Sequence, residues 1–151
     1  MKAFVWTTLA VLACLTAHSQ TVPAQAEAIV KRGIVYAKAN GMEKLFQQVN
    51  QADGVFHVGK GSELFLFVYD QQGVMQAFGF NSADFVGKHR IDVKDADGKL
   101  FVREIVKVAQ TKGTGWVDYK FTNPVNNKVE PKTTYVEMYK DLIFCCGIYK
   151  K

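Results

Sequence analysis

Cysteine is scarce in this chain of 151 residues, and only Cys145 and Cys146 lie beyond residue 19. Neighbouring strand residues point to opposite faces, so a bond between these two would need a distorted backbone. They read as two small buried strand residues, and no metal-ligand spacing surrounds them. Histidine is almost as rare. After residue 19 there are His57 and His89 alone, neither beside a Ser or Cys to activate, so nucleophilic catalysis has no motif. The acids Asp118, Glu130 and Glu137 read as exposed strand or loop residues, not as the facing pair a glycosidase needs. No basic run is interleaved with aromatics, and the formal charge of +5 is spread along the chain. A nucleic-acid surface is therefore not expected. Internal repeats and low-complexity tracts are missing. Disorder and a multi-span membrane protein are both excluded by 48% hydrophobic and 22% charged residues.

The run Asp92–Gly98 invites a calcium-loop reading and fails it. With Gly98 at the sixth loop position, Asp95, Asp97 and Glu104 fall on ligand positions, but Val93 takes the first and cannot ligate. An acidic turn ahead of a helix is expected instead, because carboxylates favour helix N-termini. No metal or cofactor is anticipated, and the enzyme reading is the minority one.

The one long apolar run is Ala3–Leu15, too short to span a bilayer comfortably. Lys2 precedes it and Ala17-His18-Ser19 follows, the pattern of a secretory signal peptide cleaved after Ser19. Val11-Leu12-Ala13-Cys14 loosely resembles a lipobox, so lipidation at Cys14 stays open as the alternative. Either way residues 20–151 work outside the cytoplasmic membrane, as one periplasmic or secreted domain with a net charge of about +4 once Lys2 is removed.

Residue 20 onward is rich in pattern. Ala26, Ile29, Val30, Gly33, Ile34 and Ala37 recur at three and four residues, which predicts an amphipathic helix from about Val22, with Thr21 as N-cap and Asn40-Gly41 as its stop. Glu43–Asn50 forms a shorter second helix. Glu63–Tyr69 is a dense apolar strand covered on both faces, Asp70–Gly73 its turn, and Val74–Phe80 the return. Asn81–Lys99 is irregular, with Phe85, Val86 and Ile91 as anchors, and Leu100–Gln110 is a helix. Strands follow at Gly115–Phe121, Lys132–Tyr139 and Asp141–Tyr149, the first two joined by a polar segment bracketed by Pro124 and Pro131. The order predicts an α+β domain with a five-stranded antiparallel sheet.

Gly113–Tyr135 carries Trp116, Tyr119, Phe121 and Tyr135 alternating with polar residues, and Lys132 is the single cation between Lys128 and Lys140. An indole N–H, two phenols and an ammonium on adjacent strands suit a small anionic ligand. An aromatic cross-strand ladder in an ordinary hairpin would look the same.

Five ordered stretches, LFLFVYDQQGVMQAF, FVGKHRIDVKDADGKLFVREIV, GTGWVDYKFTNP, EPKTTYV and the final GIY, resemble the extracytoplasmic single Cache domain of type 2 from about Ala28 to Tyr149. The resemblance implies a long N-terminal helix packed on a PAS-like sheet, with a small-molecule pocket between sheet and overlying loops. It implies a non-catalytic sensor of small metabolites, often short carboxylates. Carried onto matching positions, Lys132 would meet a ligand carboxylate, Tyr119 and Tyr135 would hydrogen-bond it, and Trp116 would wall the pocket. His89 and Arg90 would approach from the covering loop. Two departures stand out. The last strand has Asp141–Cys146 where relatives often carry Trp and Gly. The chain also stops two residues after Tyr149, without the transmembrane helix and output domain of family receptors. The expectation is a free-standing periplasmic binder of a small organic anion, with a membrane sensor or receptor as possible partner. The alternative is a protein-interaction module that regulates a membrane sensor or envelope complex. Parity limits the assignment: in regular strands Trp116 and Tyr119 face opposite sides, as do Lys132 and Tyr135.

Overall fold

The computed structural model describes residues 22–51, 53–57 and 62–150. The signal segment 1–19, the lipobox at Cys14 and the N-cap at Thr21 lie outside the described residues. The predicted stripe forms α1 (Val22–Asn40), and all six of its apolar positions are buried. Gly41 ends the helix at φ 89°, a left-handed conformation that costs glycine nothing. The chain then re-enters α2 (Met42–Asn50). A Cβ on Gly33 would lie 2.6 Å from Leu66 Cδ2, so this glycine sets how closely α1 sits on the sheet.

Strands β1 (Leu66–Asp70) and β2 (Met75–Phe78) form the first hairpin. Its turn is held by Asp70, whose Oδ1 accepts from the backbone N–H of Gln72 at 2.9 Å and Val74 at 2.8 Å. The irregular segment contains one short helix, α3 (Ser82–Phe85), and is followed by α4 (Phe101–Lys112). Strands β3 (Thr114–Thr122), β4 (Val129–Tyr139) and β5 (Leu142–Tyr149) complete an antiparallel sheet of order β2-β1-β5-β4-β3.

Strand β4 begins three residues earlier than expected, and Pro131 lies inside it opposite Lys120. Proline is tolerated because its carbonyl accepts from Lys150 N–H at 2.9 Å just past the end of β5. The N–H it lacks would have closed only the final rung of the ladder. Asp95 explains the acidic turn. Its Oδ1 accepts from the N–H of Asp97 and Lys99, and its Oδ2 from Lys120 N–H. Asp97 pairs with Lys120 and Glu104 with Lys99, so these carboxylates are committed to the turn and its neighbours.

Side-chain alternation splits the core into two layers. Leu66, Val68, Tyr135, Phe144 and Cys146 face α1 and α2. Phe65, Phe67, Tyr69, Tyr119 and Cys145 face α4 and the irregular segment. The two thiols are buried, free and on opposite faces, and burial pushes both upward from the ordinary thiol range. No helix among the described residues is long and apolar enough to cross a membrane.

Candidate functional site

The second face carries the site. Its floor is laid by β3, β4 and β5, where Tyr119 pairs with Lys132, Lys132 with Tyr149, and Thr134 with Gly147. Lys132, only 3% exposed, runs across the sheet above Gly147. A Cβ there would sit 2.2 Å from Lys132 Cε and 2.6 Å from Thr134 Oγ1. Glycine at 147 is thus what gives the lysine its path.

The Lys132 ammonium ends among four ring faces, with centroid distances of 5.3 Å to Phe65, 5.7 Å to Phe67, 5.4 Å to Phe121 and 4.8 Å to Tyr149. Ring quadrupoles attract the charge, and a desolvated contact of this kind is worth up to about 2 kcal/mol. They do not replace water. Among the described residues no hydrogen-bond or ion-pair partner of Nζ is found, and desolvation pulls the ammonium down from 10.5 to about 8. The neighbouring Cys146 and Cys145 sulfurs and the Glu63 carboxylate act the other way. At neutral pH the group is still a cation, buried and without an anion in contact.

Around it, Tyr119 stacks on Phe101 at 4.4 Å, and its hydroxyl meets Thr134 Oγ1 at 2.8 Å. Burial raises that phenol, with the Thr134 bond opposing. From the roof, Arg90 lays its guanidinium over Phe85 at 4.8 Å. Its backbone is pinned by a 2.8 Å bond from N–H to Gly73 O. Arg90 Nε is buried with no hydrogen-bond partner among the described residues. The neighbouring Tyr69 phenol is raised by burial and drawn partly back by Arg90. An inner cavity of about 10 Å³ lies between Lys132, Tyr119, Tyr69 and Arg90, room for about one water. Beside it an apolar outer chamber of about 230 Å³ is lined by Phe65, Phe80, Pro124 and Tyr149 among others. Phe78, Phe85 and Phe121 line both spaces.

Of the six residues singled out in the sequence, Lys132, Tyr119 and Arg90 come together here. Trp116 and Tyr135 do not. They meet each other on the helix face at 5.4 Å between centroids, and the Tyr135 hydroxyl donates to Glu137 Oε2 at 2.9 Å. The parity conflict is resolved by this division, with no bulge between β3 and β4. His89 is exposed and bridges Val74 through its backbone. The aromatic wall of Phe65, just ahead of β1, with Phe67 and Tyr69 of the strand, the polar Thr134 and the enabling Gly147 were not singled out. Period two finds the first four: Thr134 is two residues from Lys132, and the odd positions of ELFLFVY share one face.

A sheet in this order, with a long helix on one face and an irregular covering segment on the other, defines a PAS-like architecture. The chain belongs to the single Cache domain 2 family, whose model matches residues 26–149. Cache domains are extracytoplasmic ligand-binding sensors and not enzymes, and this chain is such a sensor domain. Among solved structures it is similar to a methyl-accepting chemotaxis protein from Vibrio parahaemolyticus RIMD 2210633, with 21% identity and a TM-score of 0.69, covering 83% of this chain and 86% of that one. A periplasmic sensor domain of a chemotaxis protein matches with 21% identity and a TM-score of 0.65, over 84% and 89% of the two chains. A Cache chemosensory domain described for its carboxylic acid recognition matches with 21% identity and a TM-score of 0.64, over 84% and 87%.

Proposed function

We propose that this protein is an exported receptor for a small organic carboxylate, held between Lys132 and Arg90. The observation that carries the reading is the Lys132 ammonium: buried, cationic at neutral pH, and lacking an anionic contact beside a cavity. A carboxylate there would supply the missing charge, and charge-assisted bonds are about twice as strong as neutral ones. Arg90 Nε offers a second donor from the opposite wall. Tyr119 is spent on Thr134 and serves as wall and buttress. The carboxylic acid recognition described for the similar Cache domain supports the same class of ligand.

The inner cavity holds about one water, so a carboxylate enters only if the covering segment that carries Phe85 and Arg90 yields. Binding and rearrangement of Asn81–Arg90 are then one event, which is how such a domain would present its state to a membrane sensor or receptor partner. The tightness of that cavity also favours a second reading, an interaction module without a ligand. The open outer chamber speaks for the first.

A thermal-shift screen of the purified protein against acetate, propionate, lactate, pyruvate, amino acids and purines separates the two. Carboxylates are expected to raise the melting temperature, and a folded protein with no hit across the panel would leave the interaction module standing. Residues 1–19 act as a cleaved signal peptide in this proposal. N-terminal sequencing of the exported protein should begin at Gln20, and an intact Met1 in the periplasmic fraction would contradict it.

A further inference from the structure

We infer that the ligand is a monocarboxylate with an apolar tail of several carbons, its head at Lys132 and its tail in the outer chamber. This rests on the carboxylate reading above and narrows it. Three rings of the Lys132 cage, Phe65, Phe121 and Tyr149, also line the outer chamber. Lys132 itself lines the inner cavity, which shares Phe78, Phe85 and Phe121 with the chamber, so a molecule whose anion meets Nζ has the chamber as the adjoining space for its remainder once the covering segment yields. The volume there is about 230 Å³, whereas an apolar cavity of about 150 Å³ already takes up a benzene ring. Acetate or propionate would leave most of it wet. Phe80 lines this chamber and is 49% exposed, so apolar surface there is open to a tail.

Charge decides what the far end of the ligand can be. The Asn123 amide, between the chamber-lining Thr122 and Pro124, donates to Glu63 Oε1 and Glu130 Oε2, both at 2.7 Å. Burial raises the Tyr149 phenol, and the charges of Glu63 and Glu130 push it further. Two carboxylates thus act on the chamber's own tyrosine, and a second anionic group on the ligand would be repelled. Asn81, Thr122 and Asn127, the other polar side chains of the lining, are neutral.

Calorimetric titration of the protein with acetate, propionate, butyrate, hexanoate, phenylacetate and succinate tests this. Affinity should rise about three- to fourfold per added methylene from propionate to hexanoate. Phenylacetate should bind more tightly than acetate, and succinate more weakly than butyrate. Phe80→Ser should cut the gain per methylene below twofold, with the unliganded melting temperature confirming that the variant folds. A flat series in which acetate still binds, or succinate equal to butyrate, overturns the tail assignment and leaves the carboxylate reading intact. No binding by any of the six overturns both.

Discussion

Replacing Lys132 with Met should make the unliganded protein more stable while abolishing its affinity for carboxylates. The ammonium is held at about 8 against 10.5 in an unburied lysine, with desolvation as the first cause. That depression corresponds to at most about 3 kcal/mol of folding free energy, and the ring contacts that the ammonium makes offset part of it. Methionine is close in length, is apolar and suits contact with the surrounding rings, so the penalty disappears without a large cavity. For a domain of this size the melting temperature should rise on the order of 10 °C at pH 7. The pH dependence fixes the cause. A lysine whose folded value is depressed imposes its full cost below about pH 8 and is relieved as pH rises towards 10.5. In that window the unfolded chain binds more protons than the folded one. The wild type should therefore gain on the variant between pH 8 and 10.5. The raised thiols of Cys145 and Cys146 and the raised phenols act in the opposite direction there, but they are common to both proteins and cancel in the difference. Urea unfolding at pH 7, 8.5 and 10 reads that difference. A variant less stable at pH 7, or a difference that does not change with pH, would refute the buried-cation argument.

Gly147→Ala should cost about 1–3 kcal/mol by overpacking and weaken carboxylate binding, because the new methyl occupies the path of Lys132; denaturation and titration of one preparation check both. Tyr119→Phe keeps the stack on Phe101 but strands the Thr134 hydroxyl, a loss of about 1 kcal/mol in urea unfolding. Trp116→Ala removes a contact with Tyr135 on the helix face and should lower stability by about 1 kcal/mol. Its carboxylate affinity should stay within about twofold of wild type; a tenfold loss would return Trp116 to the site.

Much of the architecture was readable because its signals are local and periodic. The α1 stripe, the Gly41 stop and the two-faced burial of β1 each follow from spacing alone. Pro131 was misplaced because proline reads as a strand boundary, and only the relative lengths of β4 and β5 show that its missing N–H falls at a ladder end. In the site, alternation foretold that Trp116 and Tyr119 part company, as do Lys132 and Tyr135. It could not say which face holds the cavity, since that depends on where α1 and the irregular segment dock. Nor could it say that Lys132 is buried. A lysine between Pro131 and Thr133 in the sequence is indistinguishable from a solvated one, until the rings of Phe65, Phe67 and Tyr149 and a side-chain-free Gly147 close around it.

The claim that a ligand carboxylate meets the Lys132 ammonium is tested most directly by proton uptake on binding. Titration calorimetry of a binding monocarboxylate at pH 8.5, repeated in two buffers of different ionisation enthalpy, counts the protons. At that pH the free protein's lysine is largely neutral, and an anion in contact returns it to the charged form. Wild type should take up on the order of half a proton or more per ligand bound, and much less at pH 6.5. Binding with no proton uptake at pH 8.5 would contradict a carboxylate seated on Lys132.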